Sequence, residues 1–248
     1  MKTENTIKII LAMLLIIVAS GFAPKKEGEK DRKAEKILHE FVEATGGEKA
    51  IANIESLISK SQLEFVESGL ILKREIFETR ANQCFIKVNS PQTGDIYRGY
   101  DGKQCWEKRQ AQLREIVGQE KQSFLNNSAF LRFANWEQTL AAYQYAGKTN
   151  VAGIPLHRID VKTIYGAKES WYFNAHDHLL VRMEEPLDLP EGLATATTTF
   201  SDYRNVNGVK FSFAQTIEMP GQTRKISFSE IAANRDIDNN LFSPPGKN

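Results

Sequence analysis

Between Ser56 and Ile231 run after run carries apolar residues at every second position, and this alternation constrains the fold more than any other feature of the chain. The clearest run is Val209, Phe211, Phe213, Ile217 and Met219, interleaved with Lys210, Ser212, Thr216 and Glu218. Leu179, Val181 and Met183 alternate with Arg182 and Glu184, and Ile159 and Val161 with Asp160 and Lys162. Leu63 and Phe65, Trp171 and Phe173, and Ile226 and Phe228 repeat the pattern. A period of two turns one face of each strand toward a core and leaves the other wetter, which antiparallel sheets permit. Turn signals at Asp101-Gly102, Gly153-Ile154-Pro155, Asn207-Gly208 and Pro220-Gly221 arrive at short intervals, so consecutive strands should pair in a meander. About ten or eleven strands fit into this region, and the expected class is mainly β with a few helices, α+β.

The helical period appears in two places. Ala34, Ile37, Leu38, Phe41 and Val42 mark one face of a helix, with Asp31 to cap its start and Gly46-Gly47 to stop it. A second short turn over Glu48 to Ile54 is expected to follow. Glu120 to Trp136 also reads as helix, with Leu125, Ala129, Phe133 and Trp136 on one side and Phe124 and Phe130 nearby. That segment interrupts the meander and is a candidate lid.

The N-terminus has the pattern of a secretory signal. Lys2 and Lys8 precede an unbroken apolar run from Ile9 to Ala19, shorter than the roughly 20 residues of a membrane span. Cleavage after Ser20 or Ala23 would release an exported protein; an uncleaved anchor is the alternative. The expected organisation is a signal peptide over 1–23, a charged linker over 24–30 and one domain over 31–248. The expected location is the periplasm.

With 32 basic and 31 acidic residues the chain has a net charge of +1, which offers no basic stripe for phosphates. Nucleic acid is not an expected partner. The two cysteines, Cys84 and Cys105, fall about two strands apart in the meander, with Cys84 opposite Tyr100 and Cys105 opposite Arg98. A separation of about 10 Å exceeds the reach of a disulfide, so two half-buried thiols are expected.

Little in the chain resembles catalytic machinery. His176-Asp177-His178 lies between two strand patterns and reads as a solvated turn, because a zinc site needs three or four converging ligands. His39 sits beside the apolar stripe of the first helix as a boundary residue. There is no Gly-x-Ser-x-Gly elbow, phosphate-cradling glycine loop or CxxC pair. No enzyme activity, metal or other cofactor is expected. The large aromatic side chains are the better lead. They are either the packed core of a broad sheet or the lining of a concave apolar pocket, the usual character of a ligand site.

Three stretches carry a family resemblance. They are the helix ending in Glu43-Ala44-Thr45-Gly46-Gly47 before Ala50-Ile51, the Tyr100-Asp101-Gly102-Lys103 hairpin with Trp106 beyond it, and the end Ile237-Asp238-Asn239-Asn240-Leu241-Phe242-Ser243-Pro244-Pro245. In this order they resemble the LolA-type family of outer-membrane lipoprotein-sorting proteins, and more closely its longer relatives. The resemblance implies one strongly curved antiparallel sheet, an incomplete barrel, with helical lid segments over a cavity for acyl chains. It implies lipid acyl chains or lipoprotein N-termini as partners of a monomer, or an envelope protein partner if the fold serves as a sensor or scaffold. The candidate ligand-binding residues of cavity wall and lid are Trp106, Phe124, Leu125, Phe130, Phe133, Trp136, Trp171, Phe173, Phe211 and Phe213. One departure is evident: the family's carriers latch the lid with an arginine on the strand before the Asp-Gly-Lys hairpin, and Phe85 to Pro91 contains none.

Overall fold

A computed structural model describes residues 31–90, 94–189 and 192–246. The expected signal segment and linker lie outside the described residues.

The helical stripe at the start forms α1 (Arg32–Thr45), which buries Ala34, Ile37, Leu38, Phe41 and Val42. Asp31 caps it by accepting from the backbone N–H groups of Lys33 and Ala34. Gly46 ends it at a φ of 136°, with its backbone pressed so closely on the turn at Gly208 that a Cβ would lie 2.2 Å from the Gly208 carbonyl oxygen. No other residue type fits there. The short α2 (Glu48–Ala52) follows, as its spacing predicts.

Among the described residues thirteen strands follow where ten or eleven were expected. They are β1 (Ser56–Phe65), β2 (Leu70–Thr79), β3 (Cys84–Asn89), β4 (Ile96–Tyr100), β5 (Cys105–Arg109), β6 (Gln112–Ile116), β7 (Leu140–Val151), β8 (Ile154–Thr163), β9 (Lys168–Asn174), β10 (Leu180–Leu189), β11 (Gly192–Val206), β12 (Val209–Met219) and β13 (Gln222–Ala233). Short charged strands such as β6, Gln112-Leu113-Arg114-Glu115-Ile116, carry too little alternation to be counted from sequence. All pairings are antiparallel in one sheet, ordered β6-β5-β4-β3-β2-β1-β13-β12-β11-β10-β9-β8-β7. The meander therefore runs in two arms, joined where the first strand pairs with the last. Among the described residues β6 and β7 do not pair, so the sheet stays open as a half-barrel.

Its curvature follows from one helix. α1 packs against both β7 and β12, which stand five strands apart in the sheet. A flat sheet would separate them by about 24 Å, more than twice the width of a helix. The sheet must wrap around α1, and the space it encloses is where the main core sits.

The interruption between β6 and β7 differs from the expected helix. α3 covers only Gly118–Asn127, and a short α4 (Trp136–Thr139) comes after an irregular loop. Asn126, Asn127 and Ser128 are poor helix formers that prefer local hydrogen bonds. Ser128 bonds through its hydroxyl to the Phe124 carbonyl, and Leu131 turns to a φ of 50°. The hairpin at Asp101 also differs: four residues, not two, connect β4 to β5, and Asp101 Oδ1 accepts from the N–H groups of Lys103 and Gln104. Cys105 consequently pairs with Tyr100, not Arg98, while Cys84 pairs with Tyr100 from the other side as expected. Both thiols are free and buried.

Candidate functional site

The two faces of the sheet pack against different parts of the chain. On β5, Cys105 and Glu107 point to the side that carries α3, and Trp106 points to the other. On that outer side Trp106 lies flat over Gly99, its cross-strand partner, where an added Cβ would come within 2.4 Å of the indole. Phe85, Tyr97 and Phe77 continue the aromatic ladder, with ring centroids about 6 Å apart. The end of the chain closes over them through Ile237, Leu241 and Phe242, and the Trp106 indole N–H donates to the Phe242 carbonyl at 2.7 Å. Trp106 thus belongs to a small core on the side away from the lid.

The other nine candidates divide further. Phe130, Trp136, Trp171 and Phe173 are buried in the main core with α1, and Phe133 and Phe211 pack against it half-buried. Phe133 stands edge-on to both Trp171 and Phe200, at 5.0 and 5.5 Å, and Trp136 edge-on to His39 and Tyr143. Phe124 and Leu125 form a second core with Cys84, Cys105 and Ile116. Phe213 is buried outside both, beneath the Arg204 guanidinium at 4.6 Å. The aromatics that were candidates for a cavity lining are brought together chiefly as packing beneath α1 and the lid loop.

That loop is held to the sheet by a buried network. Arg132 pairs with Glu169 on β9, whose carboxylate also accepts from the Trp171 indole at 2.7 Å and the Asn126 amide at 2.8 Å. The Phe130 backbone N–H donates to Asn82 in the β2–β3 turn. Burial, and then the charge of neighbouring Glu169, push the Glu185 carboxyl above its ordinary value. The lid therefore carries its own arginine latch, with the cation on the loop and the carboxylate on the sheet. The sequence reading missed this because Arg132 and Glu169 are 37 residues apart with no motif between them.

The part of the inner face left uncovered lies on β3, β2, β1, β13 and β12. Its rows follow from the strand register. Ile86, Ile76, Ser59 and Ile231 form one row, Val88, Arg74, Ser61 and Phe228 the next, and Leu72, Leu63, Ile226 and Gln215 the third. Leu63, Leu72, Val88, Ile217 and Phe228 are only half-buried and belong to none of the three packed cores. They form an apolar trough beside the lid. Sequence periodicity overlooked it because β2 reads Leu70-Ile71-Leu72-Lys73-Arg74-Glu75-Ile76-Phe77, apolar on both faces.

Glu78 marks the deep end of the trough, in the row with Cys84 and Leu57. Desolvation pushes its carboxyl up to about 7. At the edge, Glu107 meets Arg98, Arg109 and Arg114; burial alone would raise its carboxyl, but the three guanidiniums outweigh it and hold it at about 2. Arg114 also grips Glu120, fastening α3 over the second core.

A separate open hollow of about 470 Å³ surrounds Lys36, His39, Glu40, Glu43, Ala44 and His178. His178 comes from the expected hairpin turn, with Nδ1 3.5 Å from Glu40. Among the described residues no group of three or more His, Cys, Asp or Glu converges as a metal site. No helix of the described residues is long and apolar enough to cross a membrane.

An open half-barrel with its first strand paired to its last, and helices laid on the inner face, is a shape with known counterparts. A LolA superfamily protein from Nitrosomonas europaea superposes with a TM-score of 0.58, covering 85% of this chain and 97% of that one at 12% identity. The chain has the LolA-type fold. A DUF1329 family protein from Desulfovibrio piger is similar over 85% of this chain and 97% of its own, with a TM-score of 0.59 and 13% identity. A domain from Vibrio parahaemolyticus, described as a candidate outer membrane lipoprotein-sorting protein, gives 0.57 at 10% identity over 85% and 96%. No protein-family model matches the sequence, and no curated protein matches it.

Proposed function

We propose that this protein binds lipid acyl chains along the trough of its half-barrel, shielding them from water in the cell envelope. The observation that carries the reading is the trough itself. Large apolar side chains on five adjacent strands stay half-buried on the inner face of a curved sheet, outside every packed core. A soluble domain rarely leaves such a surface contiguous without a ligand for it. The LolA-type fold and the lipoprotein-sorting description of one structural counterpart support the acyl-chain class.

Transfer of each methylene from water contributes about 0.8 kcal/mol, so about fifteen buried methylenes are needed to reach micromolar affinity after an association cost of about 4 kcal/mol, the length of a long acyl chain. The lid loop around Arg132 and Phe133 would gate the trough beside the main core. Lipidated protein N-termini are the cargo the fold suggests, and the periplasm is the compartment its N-terminal pattern suggests. Native mass spectrometry of the protein purified from membranes should show a bound species of lipid mass. Absence of lipid, together with no binding of a fluorescent fatty acid at micromolar concentration, would refute the proposal. A stoichiometric protein partner recovered with an unoccupied trough would instead favour the scaffold role.

A further inference from the structure

The middle row of the trough contains one cation. Arg74 lies between Val88 and Ser61, with Ile76 and Leu72 on its own strand above and below it. Its Nε and Nη2 both donate to the Ser61 hydroxyl at 3.2 Å, and Ser61 is itself 4% exposed. Arg74 forms no ion pair among the described residues, and burial pulls its guanidinium below the ordinary value, with no carboxylate opposing that shift. Three other arginines near this face are neutralised: Arg98 and Arg114 meet Glu107, and Arg132 meets Glu169. Arg224, in the row of Phe65 and Ile217 beyond Leu63, stacks over the Phe65 ring and donates to Gln222. A guanidinium remains charged in a protein. That of Arg74 is set in an apolar surface with two of its five N–H donors spent on one hydroxyl, and the Nη1–Nη2 edge is left for a planar, bidentate acceptor.

Resting on the acyl-binding reading above, we propose that Arg74, oriented by Ser61, receives the carboxylate of a free fatty acid whose chain lies along the trough. A carboxylate matches the fork in charge and geometry, and one cation suits one negative charge. The nearest acid on the same strand face, Glu78, lies two side-chain positions away, toward the second core. It leaves the guanidinium edge open to a ligand.

The test uses the purified protein and a neutral fluorescent probe, N-phenyl-1-naphthylamine, displaced by oleate, by oleyl alcohol and by oleoyl lysophosphatidylglycerol. Oleate should displace the probe at concentrations about tenfold lower than oleyl alcohol. Arg74→Ala should weaken oleate by about tenfold while leaving oleyl alcohol unchanged. Arg74→Gln keeps a donor for Ser61 without the charge and should behave in the same way, and Arg74→Lys should fall between. Removing a desolvated cation should not lower the melting temperature, which a thermal scan of each variant checks. Oleate binding unchanged in both neutral variants would overturn the proposal, and a preference for the lysophospholipid over oleate would overturn the carboxylate assignment. Oleyl alcohol, which has the chain without the carboxylate, distinguishes trough binding from Arg74 recognition. If it binds but oleate gains nothing over it, only the Arg74 inference falls. If neither it nor the probe binds, the acyl-binding reading falls and takes this one with it.

Discussion

Single residues in this fold differ in what they can tolerate according to the face they occupy. Gly99 has no room for a side chain because the Trp106 ring lies on it, fixed from behind by the Phe242 carbonyl. Gly99→Ala should destabilise the protein by about 1–3 kcal/mol, measured by urea unfolding, since the indole cannot move without losing its hydrogen bond. Trp106→Asp should cost more than about 4 kcal/mol and release the chain end around Phe242, seen as new proteolytic cleavage there. Glu78 responds to pH. Its folded carboxyl is raised to about 7, so the native state holds the proton more tightly than the unfolded one. The stabilisation is present below about pH 4.5 and is lost as pH rises through 7, up to about 3 kcal/mol. Glu78→Gln should remove that dependence and be the more stable form at pH 8, as paired denaturant curves at pH 5 and 8 will show. Trp106 was recognisable as important from its place after the Asp-Gly-Lys hairpin. Its cross-strand partner was not, because moving from a two-residue turn to a four-residue loop shifts that partner from Tyr97 to Gly99 on the same face, and only the packed chain end shows that this face is the one away from the lid.

At the level of elements, the lid is positioned by charge at two points. Arg132→Ala would leave Glu169 buried with only the Trp171 and Asn126 donors, at a cost of about 3–5 kcal/mol in lid stability. Hydrogen exchange should then rise in residues 128–136 before it rises in β9. Glu107 does the corresponding work at the end of α3. Its carboxyl is held at about 2, so its stabilising contribution exists above about pH 4.5 and disappears as pH falls toward 2. Glu107→Gln should loosen α3 at neutral pH, read from exchange at Phe124 and Leu125, and should flatten the acid limb of the stability profile. The elements themselves were legible to different degrees. α1 was readable in full, because cap, stripe and glycine stop agree within 16 residues, Asp31 to Gly46. The helix expected through Trp136 was not, because apolar spacing continues past Ser128 although the backbone does not. β10 shows a subtler limit. The register shifts between Leu180 and Arg182, so Leu180 and Met183 are both buried, and the expected parity of Leu179, Val181 and Met183 breaks at the bulge.

For the whole molecule, the governing fact is that one helix touches strands that a flat sheet would hold far apart. Truncating α1 should therefore do more than remove a helix: the β7–β12 arm would lose the core it curves around. The Leu38→Ala variant, at a fully buried position, should cost about 3–5 kcal/mol and lower the melting temperature in one cooperative step seen by circular dichroism. Period-two alternation and closely spaced turns determined from the sequence alone that the chain makes an antiparallel meander, and the capped stripe determined its first helix. Both are local properties, set by which side chains recur at which interval. The closing of β1 onto β13, the filling of the interior by Trp171, Phe173 and Phe133, the Arg132–Glu169 latch and the open trough around Arg74 were decided only in three dimensions. Each depends on groups far apart in the chain meeting across a curved surface, and alternation says that a residue has a face without saying what will cover it.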